Sequence, residues 1–456
     1  MKRRCALREI TRNFGLVTTF RILVDQDRQI LAAMLKQHAG INAPILIVPL
    51  LASEYTLPET QPIFENILAN LSKVEYLNKI IFGLDQASET EMQLLKELVE
   101  RHCIRQAVIQ WNDGPVFSDI YQMLSEAGMV SLEPGKGKNI FLGIGIALAL
   151  QAKVVGILDA DIRSFNCIQL DRLLYPVVVH NYEFSKAFYT RISNRRLYGR
   201  VKRLLVDPLL IALKTKLIES KEKKMLGMID FLLQFDYQLS GEVAFRSDLL
   251  RKMRFSTNWG AEIFTLIEIY RKASSAAQVD FSIEPFDHKH QPVSEDDISK
   301  GLTRMAVDIV TTLMNALVQG EGLDLSEAFF RDLLTIYMGV TDKVTKMYSD
   351  ESMFNQLEYD WDYEEYLARE VFGNCILHAG EILTAQSTTT DRLLRLANSY
   401  AQFKPCLEAG LAKAIISVES ELKKRVFETP HTASWERVCH RIPKINDILI
   451  EAIGIG

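Results

Sequence analysis

The sequence predicts an α/β protein followed by a mostly helical C-terminal region. Two patterns lead there. Short apolar runs at Pro44–Leu51, Leu77–Leu84, Gln106–Gln110 and Val154–Leu158 alternate with stretches of helical periodicity, which implies βαβ units and a parallel sheet. From Asp296 onward helical periodicity dominates, without a repeat. The chain has 456 residues, 48% of them hydrophobic and 24% charged, so a sizeable packed core is expected.

In chain order, residues 1–40 read as an N-terminal helical arm, with amphipathic spacing at Ile22, Leu23, Ile30, Leu31 and Leu35. Residues 41–295 form the α/β part. Its first strand, Pro44–Leu51, is followed by helical periodicity over Glu59–Leu71. A second strand ends near Asp85, and a helix over Glu89–Arg101 leads to the third. Pro134-Gly-Lys-Gly-Lys138 opens a helix to about Ala152, and the strand after it stops at Asp159-Ala160-Asp161. Further strands are expected at Tyr182–Tyr189, Ser240–Phe245 and Val279–Glu284. A long basic helix is expected over Leu197–Ser220. Residues 296–456 form the helical part, with helices over Thr303–Leu317, Leu325–Tyr348, Tyr363–Leu383 and Leu407–Val426. No Gly/Ser-rich linker separates the two parts, so they are expected to pack together.

Charge and cysteine usage narrow the function classes. The 53 basic against 58 acidic residues give a net charge of −5, which argues against nucleic acid as a partner. Six dispersed cysteines with no C-x-x-C pair suggest neither a zinc cage nor a disulfide framework, and a cytoplasmic setting is expected. Arg21 interrupts the apolar stretch near the start. The uncharged run Asn139–Ala152 has fourteen residues, short of the roughly 18 that a bilayer span needs. No membrane association is expected.

Three features carry candidate chemistry. Asp159 and Asp161 follow an apolar strand, and ligands of open α/β sheets bind at the carboxyl ends of strands. If the segment is extended, both carboxylates can face one hard cation, Mg²⁺ or Mn²⁺. Asp159 as a helix cap with Asp161 solvated is the plainer alternative. Gly135-Lys136-Gly137 at a helix start suits close approach of a phosphate to backbone N–H groups, although the Walker A spacing is absent; a plain turn with a solvated lysine also accounts for it. His288 and His290 lie beyond the last strand, as a metal ligand or as surface histidines. In combination, two carboxylates, an imidazole, Lys136 and a helix N-terminus would neutralise a departing nucleoside diphosphate, which suits sugar transfer.

At these residues the chain resembles the GT-A fold retaining glycosyltransferases of the glucosyl-3-phosphoglycerate synthase and mannosylglycerate synthase type, over roughly residues 44–318. Glu133–Ile140 looks like the loop for the sugar-nucleotide diphosphate. Leu158–Phe165 looks like the metal motif, in a form closer to the mannosylglycerate group. Lys186–Tyr189, Gly199–Arg203 and Asp207–Leu210 are closer to the phosphoglycerate group. Ser240–Ala244 is similar to a Gly-Gly-Glu segment, and Asn258–Glu262 to the segment near the sugar.

The resemblance implies a GT-A domain, an NDP-sugar donor, a small anionic acceptor (glycerate or 3-phosphoglycerate) and a divalent metal. It implies donor contacts from Pro49, Glu54, Asp85, Gly135, Lys136, Asp159, Ala160 and Glu262. Acceptor contacts fall to Arg200, Lys202 and Gly241, metal ligation to Asp161 and His288, and catalytic roles to Asp161, Glu242 and Arg200. The sequence departs from the family pattern in places. Pro49-Leu-Leu-Ala-Ser-Glu54 replaces Pro-Ala-Leu-Asn-Glu-Glu, Lys202 stands where a threonine follows the acceptor arginine, and Ser240 replaces a glycine. The expected reaction moves a hexose, glucose or mannose, to the acceptor in compatible-solute synthesis, with retained anomeric configuration. The rivals are a nucleotidyltransferase that makes an NDP-sugar and a catalytically inactive sugar-nucleotide-binding protein. The acidic, aromatic segment Tyr359–Glu365 is expected at the acceptor mouth, at a homodimer contact, or as a solvated loop.

Overall fold

The computed structural model describes residues 17–40, 43–130, 135–287, 300–323, 325–384 and 431–454. An eight-stranded sheet forms its centre. The strands of the molecule are β1 (Val17–Phe20), β2 (Ile45–Leu51), β3 (Lys79–Asp85), β4 (Ala107–Trp111), β5 (Val154–Ile157), β6 (Phe184–Phe188), β7 (Ile192–Ser193), β8 (Arg196–Leu197), β9 (Val243–Arg246) and β10 (Ala276–Asp280). The sheet order is β1-β10-β6-β9-β5-β2-β3-β4, and β7 pairs with β8 separately. All pairings in the large sheet are parallel except those of β9, which runs antiparallel to β5 and β6.

The apolar runs became strands because both faces are covered. Ile45, Leu46, Ile47 and Val48 are wholly buried, the mark of a parallel strand between helical layers. The chain leaves β2 toward β3 and β4 and later returns to β2's other edge as β5. That reversal creates a crevice at the strand ends. Register pairing of β2 with β5 ends at Ile47↔Ile157, whereas pairing with β3 continues to Leu51↔Asp85. Pro49, which has no N–H to give a ladder, sits just past that divergence.

Three expectations are corrected. Residues 17–20, assigned to a helical arm, extend as the edge strand beside β10; a helix, Arg28–Ala39, follows them. The long basic helix expected from Leu197 starts instead at Arg200, after β8, and runs through a π-helical turn over Val201–Val206 into a helix over Asp207–Glu219; the Leu204 carbonyl, which Pro208 has no N–H to serve, accepts from the Tyr337 hydroxyl at 2.6 Å. The last strand of the sheet lies at Ala276–Asp280, a few residues earlier than expected.

Helices Gly301–Glu321 and Glu327–Phe354 and the helical residues 361–384 share one apolar cluster with the sheet. Among the described residues, Gly301–Gln319 is a stretch long and apolar enough to cross a membrane by length and composition, and half of it is buried inside the protein. Residues 431–454 return to the α/β part. The Trp435 ring stacks on Phe141 with centroids 4.7 Å apart, and its Nε1 donates to the Phe141 carbonyl at 2.9 Å. The ring fills the space that a side chain at Gly145 would need. The helix expected over Leu407–Val426 lies outside the described residues.

Candidate active site

The helix Lys136–Ala149 is apolar all round and buried along its length. Its N-terminus therefore reaches the strand ends as a fixed element. A Cβ at Gly135 would stand 2.7 Å from the Thr257 carbonyl oxygen, and one at Gly137 would overlap that of Ser256. Packing against residues 256–257 thus explains both glycines. The Lys136 ammonium pairs with Asp159 Oδ1 at 2.5 Å and lies 3.8 Å from Glu262 Oε1. Burial alone would lower its pKa, but the carboxylates of Asp159 and Glu262 hold it above the usual lysine value.

Gly241 closes this cluster from β9's side. A Cβ there would overlap Asp159 Oδ2 and stand 2.9 Å from Lys136 Nζ, so only glycine lets the two meet. Glu242 is buried and accepts from the Tyr189 hydroxyl at 2.8 Å. Burial, then the Asp159 charge, push its carboxyl up to about 7. Asp161 is likewise pushed up to about 7 by burial, Asp159 and Glu54. Ala160 between the two aspartates is tucked into the apolar core, and residues 160–161 form a turn rather than the extended segment expected.

These carboxylates test the implied cation. They are hard oxygen donors crowded until two of them hold protons near neutrality, and a hard divalent ion relieves that crowding. The donor set therefore fits Mg²⁺ or Mn²⁺ through Asp161. Among the described residues no three His, Cys, Asp or Glu side chains stand at metal-ligand spacing, and His288 and His290 lie outside those residues. The residue before His288, Asp287, is tied to the turn after Asp161. Its carbonyl accepts from the Arg163 N–H at 2.9 Å, and its carboxylate lies 3.4 Å from Arg163 Nη1.

Not every expected residue joins this cluster. Asp85 ends β3 in a neighbouring niche, where burial and the charge of Asp113 raise its carboxyl. A buried amide network ties that niche to the helix start, with Asn139 Nδ2 donating to Gly83 O at 2.6 Å and Gln110 Nε2 to Asn112 Oδ1 at 2.8 Å. Pro49 pairs in register with Gly83. Lys202 pairs with Asp207 Oδ2 at 2.6 Å, an oxygen that the Tyr348 hydroxyl also approaches at 3.2 Å. Arg200 opens the π-helical turn and donates from Nη1 to the Tyr363 hydroxyl at 3.3 Å. Tyr363 belongs to the acidic, aromatic segment, which therefore reaches Arg200.

Two residues of the site were quoted in the sequence only within a family motif, without a role. Lys186 on β6 is 1% exposed and donates to the Ser240 carbonyl at 2.6 Å, which fixes the turn into Gly241 and Glu242. Burial pulls its ammonium down to about 8 against the pull of Glu262 and Glu242. Tyr189 stands at the end of the same motif. A lysine inside an otherwise buried strand, Phe184-Ser-Lys-Ala-Phe188, was the available signal.

A mostly parallel sheet with one antiparallel insertion, whose strand ends gather a lysine-paired Asp-x-Asp turn, defines an NDP-sugar-dependent glycosyltransferase of the GT-A type. Comparison with known proteins gives the family. The glucosyl-3-phosphoglycerate synthase of Persephonella marina is 32% identical over 447 residues, covering 96% of each chain. That of Methanococcoides burtonii is 30% identical over 347 residues, 74% of this chain and 81% of its own. The chain belongs to the glucosyl-3-phosphoglycerate synthase family. A crystal structure of the Mycobacterium tuberculosis enzyme with Mn²⁺, UDP-glucose and phosphoglyceric acid aligns with a TM-score of 0.47 at 20% identity, over 66% of this chain and 87% of that one. No protein-family profile matches the chain.

Proposed function

We propose that this protein transfers glucose from a nucleoside-diphosphate glucose to 3-phosphoglycerate with retention of anomeric configuration, acting in the cytoplasm in compatible-solute synthesis. The name of the Persephonella marina relative, which aligns over nearly the whole chain, supports this reading over mannose transfer, free glycerate or nucleotidyl transfer. The observation that carries it is the convergence of Lys136, Asp159 and Gly241 at the end of β5. The ammonium and the helix N-terminus behind it suit a diphosphate whose negative charge grows as the sugar departs.

In this reading Glu54, Asp85 and Pro49 line the nucleoside side, and Glu262 and Glu242 face the sugar. Asp161 and His288 would hold a divalent cation, which supplies charge neutralisation of the leaving diphosphate. Arg200 receives the acceptor's anionic end, since a guanidinium matches carboxylate or phosphate oxygens in pairs. Lys202, engaged by Asp207, leaves that task to Arg200. The acceptor hydroxyl is held beside the anomeric carbon, so orientation carries much of the rate. Nucleic acid and membrane have no part in the reading.

The test is a grid of NDP-glucose and NDP-mannose donors against glycerate and 3-phosphoglycerate, with product analysis. The reading expects glucosyl-3-phosphoglycerate as the main product, and absence of any glycosylated product with all donors would sink it.

A further inference from the structure

The acceptor end of the site draws on two parts of the chain that lie far apart in sequence. The Arg200 guanidinium carbon lies 5.9 Å from the ring centroid of Tyr198 and 5.9 Å from that of Tyr363, and Nη1 donates to the Tyr363 hydroxyl at 3.3 Å. Tyr198 directly precedes the Gly199-Arg200 turn, whereas Tyr363 comes from helix Trp361–Tyr366 in the helical region. Arg203 fixes both rings. Its Nε donates to the Tyr198 carbonyl at 3.0 Å and its Nη2 to the Leu197 carbonyl at 3.2 Å. Its two terminal nitrogens grip Glu364, the neighbour of Tyr363, at 2.6 and 2.7 Å. Asp360 Oδ1 accepts from the Tyr363 N–H at 3.2 Å and sets the start of that helix. Tyr363 itself remains 36% exposed, so its ring stands at the surface rather than in the core.

We propose that Tyr363 is a positioning residue of the acceptor site, contributed by the helical region, that aims the Arg200 guanidinium at the anionic group of the acceptor. The inference rests on the acceptor role of Arg200 proposed above. A free arginine side chain loses much rotamer freedom when it grips a ligand. One already held by a hydroxyl and two ring faces loses less on binding, and the difference appears as affinity. The tyrosine oxygen occupies one of five N–H donors, which leaves enough for a paired contact with a carboxylate or phosphate. Ring quadrupoles beside the guanidinium add attraction without competing for those donors.

Steady-state kinetics with NDP-glucose and 3-phosphoglycerate tests this with Tyr363→Phe, Tyr363→Ala, Arg200→Lys and the Arg200→Lys/Tyr363→Phe double variant. Tyr363→Phe should raise the KM for 3-phosphoglycerate about fivefold, the net worth of one ordinary hydrogen bond. Tyr363→Ala should raise it about tenfold or more as the ring is lost too. The KM for NDP-glucose should stay within about twofold in both, a split that general loosening would not produce. On the Arg200→Lys background Tyr363→Phe should add nothing further. An unchanged acceptor KM in Tyr363→Phe, with a raised one in Arg200→Lys, overturns the inference alone. An unchanged acceptor KM in Arg200→Lys overturns the acceptor role of Arg200 and the inference with it. Equal rises in both KM values reduce Tyr363 to a structural part. Should Tyr363→Ala fail to fold, Tyr363→Phe, which keeps the ring, decides.

Discussion

Arg203 and Glu364 form a two-pronged ion pair between the π-helical turn after β8 and helix Trp361–Tyr366, with both side chains less than one-tenth exposed. The pair joins the α/β part to the helical part beside the Arg200–Tyr363 contact. Glu364→Gln leaves a buried guanidinium uncompensated, so a loss of about 3–5 kcal/mol is expected in chemical denaturation. The double variant Arg203→Met/Glu364→Leu should cost less than the single change, since neither charge is then stranded.

Gly241 carries a sharper expectation. Gly241→Ala drives a methyl group onto Asp159 and Lys136. Displacing that ion pair by a fraction of an ångström should lower kcat/KM by about 100-fold. Circular dichroism and the melting temperature should stay near those of the parent, and an active Gly241→Ala protein would show that the pair is not part of the diphosphate site.

The raised carboxyl of Glu242 makes stability depend on pH. Folded, it holds its proton to about 7; unfolded, it releases it near the ordinary 4.5. Between those values the folded state binds more protons, so stability falls as pH rises through that window and is flat above it. Glu242→Gln removes this contribution. Melting curves from pH 5 to 7.5 should therefore decline less steeply for the variant, and parallel declines would mean that Glu242 is ionised throughout.

Cation dependence is checked by ligand-induced stabilisation. NDP-glucose should raise the melting temperature with Mg²⁺ or Mn²⁺ present and much less after chelation. Asp161→Asn should abolish the cation-dependent part. Equal stabilisation with and without chelator would remove the cation from the donor site.

Trp435 tests the docking of the C-terminal segment. Trp435→Ala empties the space above Gly145 and breaks the bond to the Phe141 carbonyl, which should cost about 3–5 kcal/mol in unfolding experiments.

Periodicity alone placed β2, β3 and β5 nearly to the residue, because strands buried on both faces are uniformly apolar. β1 escaped detection since its four residues are only half-buried at the sheet edge. The π-helical turn at 201–206 was hidden because the helix is buried on most sides there, so no single apolar stripe records the shift in phase. The Asp159–Asp161 turn and Lys136 stood out as charges abutting apolar segments. The true reason for Gly135 and Gly137 did not, since the Ser256 and Thr257 carbonyls that press on them are distant in sequence. Tyr363 was legible only as part of an aromatic, acidic stretch, for its meaning depends on Arg203, 161 positions from Glu364.

The keying of Trp435 into Gly145 also sets the order of events at the ribosome. The two contacting segments are separated by 294 residues. At roughly 5–20 residues per second, that is about 15–60 s during which the nascent helix 136–149 is without its indole cover. The groove it leaves is apolar, and it stays open at Phe141 and Gly145 until Trp435 has been made.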